Sequence, residues 1–231
     1  MNADRDTAIG LMEQKRYSEA LPRFLRLIEK HPEDWSLYYM TGQCYRFMND
    51  LGQAVRYLHK ASSMNNVSPY LYLALGIAFQ LSEDYDSAIQ ALKQAVQLNP
   101  SLVAACNSIG LTYKLMGRLH EALEWYSRAA EQVYQAASNE VHRDPEKCYR
   151  DEVIDGKSTL TVLPHVFTKM FELLRADPTY AIVKNNMGLC LLELGEIETA
   201  REQFQEAIDC TPPGYNYPDP IAHLESIMGT P

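Results

Sequence analysis

Apolar and polar positions come in blocks along residues 69 to 100. The longest apolar run covers residues 70 to 79, and a polar segment at residues 82 to 84 follows it. A block of mixed polarity then continues to Leu98, where Asn99 and Pro100 favour an end to helical structure. Because a membrane-spanning helix needs about 20 apolar residues, the shorter run predicts a helix buried on two sides. The whole stretch predicts two helices, residues 69 to 81 and 86 to 98, joined by a short turn.

Small residues return along the chain at an interval of 34 residues. Glycine stands at positions 42, 76 and 110, and alanine stands at positions 20, 54, 88 and 122 and again at 61, 95 and 129. A period between about 20 and 50 residues is typical of stacked repeats. Glycine inside a helix costs about 1 kcal/mol relative to alanine, so its recurrence predicts a close contact between helices at each glycine. The chain is therefore predicted to be an all-α solenoid of helical hairpins.

This pattern resembles that of the tetratricopeptide repeat family, in which aromatic, small and apolar residues and a closing proline stand at fixed offsets. The repeat at residues 69 to 102 carries the pattern at Tyr72, Leu75, Gly76, Phe79, Ala88, Leu92, Ala95 and Pro100. The resemblance implies a right-handed superhelix of tandem helix-turn-helix repeats. Five repeats are assigned, at residues 1–34, 35–68, 69–102, 103–136 and 181–214.

The spacing changes after the fourth repeat. Gly110 and Gly188 are 78 residues apart, which is two periods of 34 plus ten. We therefore expect residues 137–180 to contain the end of an extended helix, an insertion and one degenerate repeat, with helices near 144 to 154 and 163 to 178. Residues 215–231 are expected to form a capping helix at 219 to 228 and a tail, because Asp219 and Pro220 are typical of a helix start.

Composition narrows the classes of function. The formal net charge of -9 disfavours nucleic acid as a partner, because nucleic-acid-binding proteins usually carry a basic excess. The five cysteines are widely spaced and form no CxxC pair, which predicts reduced, mostly buried thiols. The chain shows neither the pattern of a signal peptide nor a membrane span. We therefore expect a cytoplasmic protein.

No motif supplies the residues of an active site. The segment 155 to 159, DGKST, ends like a phosphate-binding loop, but Asp151 stands where that loop needs its first glycine. The HRD triplet at 142 to 144 lacks the asparagine that a kinase catalytic loop requires, and the histidines show no metal-ligand spacing. We expect no catalytic residues, no cofactor and no metal, and hence a protein that is not an enzyme.

The family resemblance implies that the first helices of the repeats line an inner, concave wall that binds a ligand. Helical periodicity selects the residues that face this wall: Tyr39, Gln43, Arg46, Phe47, Tyr70, Leu73, Ile77, Gln80, Leu81, Asn107, Leu111, Lys114, Leu115, Asn185, Leu189 and Leu192. An exposed apolar stripe of this extent would mark a binding surface. Because Arg46 and Lys114 add positive charge, we expect the partner to be a peptide or amphipathic helix of another protein with an acidic flank.

Two alternatives remain open from the sequence. The wall residues could be buried by the curvature of the superhelix or by the irregular segment. The protein could also be a self-assembling scaffold that uses the long helix of the fourth repeat and the degenerate repeat as its interface. Light scattering separates the second alternative from a monomeric peptide receptor.

Overall fold

Helical hairpins make up most of the protein in the computed structural model, which describes residues 2–143, 149–154, 157–217 and 219–228. The helices are α1 (Asn2–Glu13), α2 (Tyr17–Lys30), α3 (Trp35–Phe47), α4 (Leu51–Met64), α5 (Pro69–Leu81), α6 (Tyr85–Leu98), α7 (Val103–Leu115), α8 (Leu119–Val141), α9 (Pro164–Leu174), α10 (Thr179–Glu193), α11 (Ile197–Asp209) and α12 (Asp219–Met228). Two strands, β1 (Tyr149–Ile154) and β2 (Lys157–Val162), lie between α8 and α9. None of the helices in the described ranges is long and apolar enough to cross a membrane.

The chain forms two compact units, residues 1–112 and 113–231, and the boundary falls within α7. In the first unit, each helix from α1 to α6 packs against the next one along the chain. In the second unit, α10 packs against α8 and α11, and α12 packs against α11. The all-α class expected from the sequence is confirmed, with the strand pair as an addition.

The recurring glycines lie where two helices meet. A Cβ atom added to Gly42 would stand 2.7 Å from Leu58 Cγ, and one added to Gly76 would stand 2.5 Å from Leu92 Cγ. In the second unit, a Cβ on Gly188 would stand 2.5 Å from Phe204 Cε1. Real side chains do not approach so closely, so these three glycines are contact points between helices, as their spacing predicted.

The tight turns inside the hairpins use one residue for two tasks. The amide of Asp84 donates to the carbonyl of Phe79, which closes α5 as in a Schellman motif, and the Asp84 carboxylate accepts a hydrogen bond from the Ser87 amide at the start of α6. Asp50 does the same between α3 and α4. One residue thus ends the first helix and caps the second, which keeps the two helices close.

The strand pair corrects the sequence interpretation of the degenerate repeat. Residues 149 to 154, expected as part of a helix, form β1, which pairs antiparallel with β2 in a register that places Tyr149 opposite Val162 and Ile154 opposite Lys157. The expected helix also included residues 144 to 148, which lie outside the described residues. The physical signal is the Asp155-Gly156 dipeptide between two segments rich in β-branched residues, a pattern that favours a two-residue hairpin over a helix.

Candidate functional site

The candidate wall begins on α3, where three of its polar and aromatic side chains are connected. Gln43 Nε2 donates a hydrogen bond to the Tyr39 hydroxyl at 3.1 Å, and Arg46 Nε donates to Gln43 Oε1 at 2.8 Å. The spacings of four and three residues place all three on one helical face. This chain of bonds fixes the direction in which the Arg46 guanidinium points.

The same guanidinium lies over an aromatic ring. The Arg46 Cζ atom lies 4.1 Å from the centre of the Phe47 ring, and that ring stacks on Tyr17 of α2 with centroids 4.6 Å apart. Burial lowers the pKa of Arg46 against the opposing effect of Tyr39 and Tyr17, but an arginine stays charged at neutral pH. Among the described residues, no carboxylate forms an ion pair with Arg46. Arg46 is therefore a half-buried cation without an acidic partner in the part of the chain that the structure describes.

Helix α5 adds apolar side chains that are open to solvent. Tyr70 is 59% exposed and Leu81 is 49% exposed, while Leu73 and Ile77 are half-buried. Phe47 on α3 is 50% exposed. Together, Phe47, Tyr70 and Leu81 are the large apolar wall residues that the first unit leaves open, and we call these three with Arg46 the unit 1 wall.

Gln80 is a correction to the predicted wall. Its side chain is only 8% exposed, and its Nε2 donates hydrogen bonds to Thr112 Oγ1 at 2.8 Å and to the Ser108 carbonyl at 3.2 Å. Both partners lie on α7, so Gln80 joins two neighbouring first helices instead of facing a ligand. Asn107 and Leu111 of α7 are half-buried.

The second unit covers most of its own candidate residues. Asn185 is 3% exposed, its Oδ1 lies 3.1 Å from Nδ1 of His223 in α12, and it is therefore a second correction to the predicted wall. Leu189 and Leu192 pack into an apolar cluster that also contains Leu224 of α12.

The remaining candidates of the second unit lie at its first residues. Lys114 pairs with Glu193 at 3.6 Å, so its charge is already balanced. Leu115 is 51% exposed. The sequence predicted α12 as a capping helix, but it did not predict that His223 of α12 would contact the wall residue Asn185 or that Tyr17 would stack on Phe47. Helical periodicity within one helix carries no information on the side chains that pack over it.

The described residues show little sign of reactive chemistry. No group of three His, Cys, Asp or Glu side chains in these ranges is arranged to hold a metal ion. Cys44, Cys190 and Cys210 are buried and free, and Cys106 is buried as well. Burial raises the pKa of Cys44 to about 12 and the pKa values of Cys190 and Cys210 to about 11, so these thiols stay protonated and unreactive. Cys148 lies outside the described residues.

Sequence models of known families match most of the chain. The tetratricopeptide repeat family matches residues 73–139 and 171–215. A family described as anaphase-promoting complex, cyclosome, subunit 3 matches residues 13–95. These matches include both helices of every hairpin from α3 to α6 and the pair α10 and α11.

Curated relatives match over shorter stretches. The chain is 28% identical over 120 residues to BBSome complex member BBS4 of Bos taurus, a match that spans 52% of this chain and 23% of that protein. It is 27% identical over 109 residues to the peroxisomal targeting signal receptor of Saccharomyces cerevisiae, spanning 43% of this chain and 18% of the receptor. The chain thus corresponds to less than a quarter of the length of these relatives.

Solved structures share the fold over nearly the whole chain. MamA from Desulfovibrio magneticus superposes with a TM-score of 0.65 at 15% identity, covering 90% of this chain and 93% of MamA. A tetratricopeptide repeat protein from Thermus thermophilus superposes with a TM-score of 0.61 at 15% identity, covering 98% of each chain. This likeness in fold agrees with the family matches, the glycine contacts and the hairpin turns. The chain belongs to the tetratricopeptide repeat family.

Proposed function

We propose that the protein is a non-catalytic interaction module that binds a peptide or amphipathic helix of another protein on the unit 1 wall. Tetratricopeptide repeat proteins generally mediate contacts between proteins, and stacked repeats present a preformed surface that needs little ordering on association. The proposal therefore concerns where this chain binds and what kind of partner it takes. We also propose a cytoplasmic location, which suits the free buried thiols of Cys44, Cys190 and Cys210.

The observation that carries the proposal is the pairing of exposed apolar groups with a cation that has no counter-charge among the described residues. Phe47, Tyr70 and Leu81 offer apolar contact area, and aromatic residues are enriched at binding hot spots. Arg46 beside Phe47 is held by Gln43 and has no acidic partner among the described side chains. A partner with an apolar face and an acidic residue at its flank would satisfy both features.

Affinity capture from a cell extract tests the wall. Phe47→Asp and Tyr70→Asp place a charge on exposed apolar positions, so we expect both to lose most of the captured partner while the helical circular dichroism stays unchanged. Val67→Asp is the matched control, because Val67 is 71% exposed but is not a wall residue. Equal capture by the wild type, the control and both wall variants would contradict the proposal.

Self-association is a second candidate, and a separate observation in the second unit favours it. Phe167 and Phe171 of α9 are 61% and 47% exposed and stand four residues apart, on one helical face. Tyr134 on the long helix α8 is 42% exposed. Light scattering at several protein concentrations tests this candidate: a scaffold would form oligomers that Phe167→Ser with Phe171→Ser dissociates, whereas a constant monomer mass would refute it.

A further inference from the structure

A basic cleft lies beside α4 in the first unit, on residues that the unit 1 wall does not use. Its volume is about 460 Å³, and its lining includes Ile28, Tyr38, Arg56, Tyr57, His59 and Lys60. Arg56, His59 and Lys60 are three and four residues apart on α4, which places them on one helical face. We call this space the basic cleft.

The described residues that line the basic cleft include no acidic group. Helix α4 contains no Asp or Glu, and no carboxylate lines the cleft among the described residues. Neither Arg56 nor Lys60 forms an ion pair within the described part of the chain. The chain as a whole carries 30 acidic and 21 basic residues and is therefore negatively charged. A cleft whose charged lining residues are all basic stands out against this excess of acidic residues. An anionic ligand would supply the missing counter-charge.

The lining suits a phosphate monoester better than a single carboxylate. A phosphate monoester carries a charge of about -1.5 to -2 and three acceptor oxygens, which matches the guanidinium of Arg56 and the ammonium of Lys60 together. A carboxylate offers one charge and two oxygens. The rings of Tyr38 and Tyr57, with centroids 6.3 Å apart, give the cleft apolar walls for the group that carries the phosphate.

A second cleft extends the first and indicates a peptide as the carrier. It has a volume of about 630 Å³ and shares His59 and Ser63 with the basic cleft. Its lining includes the amide side chains of Asn66, Gln90 and Gln94, which can both donate to and accept from a peptide backbone. A free phosphate ion would use only the basic cleft, whereas an extended peptide would use both.

We propose that these two adjoining clefts bind an extended peptide of a partner protein that carries a phosphate monoester, with the phosphate held by Arg56 and Lys60. This site is separate from the unit 1 wall and does not depend on the function proposed above. A partner could therefore be recognised at the clefts even if the wall binds nothing.

Fluorescence anisotropy with a labelled degenerate peptide library that contains one phosphotyrosine tests the site. The same library with unmodified tyrosine and one with glutamate at the fixed position are the comparison probes. We expect the phosphorylated library to bind at least tenfold more tightly than either, and the Arg56→Gln, Lys60→Gln double variant to weaken that binding at least tenfold. Arg23→Gln with Lys93→Gln is the matched control, because it removes two positive charges from the same unit outside both cleft linings.

Each other outcome overturns the proposal. Equal affinity for the phosphorylated and unmodified libraries would exclude recognition of phosphate. Full competition by inorganic phosphate at the same concentration, or binding to phosphoinositide vesicles in place of the library, would exclude a peptide as the carrier. Self-association at low salt that the Arg56→Gln, Lys60→Gln variant abolishes would assign the clefts to a second copy. No binding of the phosphorylated library at millimolar concentration would also refute it.

Discussion

Replacing Gly76 by alanine tests the close contact between α5 and α6. The new Cβ would lie 2.5 Å from Leu92 Cγ and 2.8 Å from Leu92 Cδ2, where carbon atoms normally approach to about 3.5 to 4.0 Å. Leu92 is fully buried and the Ala88 carbonyl lies 3.2 Å from the added atom, so neither neighbour can move away freely. Overpacking of this kind costs about 1 to 3 kcal/mol.

The helix itself gains from the same substitution, and a second glycine separates the two effects. Alanine is about 1 kcal/mol more favourable than glycine inside a helix. Gly10 in α1 has no atom within 4 Å of an added Cβ, so Gly10→Ala should stabilise the protein by about that amount. The gain in helix propensity is common to both variants. The difference between their unfolding free energies, about 1 to 3 kcal/mol, therefore measures the cost of overpacking at Gly76 alone.

Urea unfolding followed by circular dichroism at 222 nm, a helix signal, gives the free energies for both variants. Leu92→Ala supplies a further check, because Gly76→Ala should become stabilising once the space beside it is empty. The reasoning fails if Gly76→Ala raises the unfolding free energy as much as Gly10→Ala does. It also fails if the Leu92→Ala background leaves the effect of Gly76→Ala unchanged.

Three further predictions follow from buried and capping groups. Burial opposes ionisation of Asp34, but hydrogen bonds from Ser36 and the charge of Arg5 outweigh it and lower its pKa. Wild type should therefore be more stable than Asp34→Asn by a constant free energy above about pH 4, the ordinary aspartate pKa. This difference in unfolding free energy should disappear as the pH falls through the lowered pKa of Asp34, which unfolding experiments at a series of acidic pH values would measure. Cys44 should resist iodoacetamide at pH 8 until the protein is denatured, as mass spectrometry would record. A chain ending at Gly214 should melt lower and aggregate, because it exposes the apolar cluster that α12 covers; unchanged melting would refute this.

The sequence was sufficient to predict the fold class because the helix-helix contacts that define the repeat require small residues at regularly spaced positions. Gly42, Gly76 and Gly188 contact a large side chain of the partner helix, and only glycine allows that approach. Alanines such as Ala54 and Ala88 are fully buried beside these contacts. Evenly spaced small residues therefore identify a helical hairpin without any knowledge of its neighbours. The exact repeat boundaries stay a prediction.

The candidate wall was harder to predict, since exposure depends on the next element. Periodicity assigns Gln80 and Asn185 to the same helical face as Tyr70 and Leu189, but Thr112 and His223 supply partners that bury both amides. Their partners lie 32 and 38 residues further along the chain. A prediction made one helix at a time has no access to such distant partners, which is why the exposure predicted for Gln80 and Asn185 was wrong, while the other wall residues stay proposals.

The backbone conformation of the turns repeats along the chain, although the residue types at the turns do not. Positive φ values occur at Lys15 (60°), Asn49 (62°), Glu83 (62°) and Gly117 (72°), which are 34 residues apart, although glycine stands at only one of these positions. A left-handed backbone costs about 1 to 2 kcal/mol for an ordinary L-residue. Lys15 and Glu83 adopt it here because the Schellman hydrogen bond and the packing of the helices on both sides constrain the backbone of the turn. The close contact between the helices therefore determines the turn, and the residue at the turn does not determine the contact.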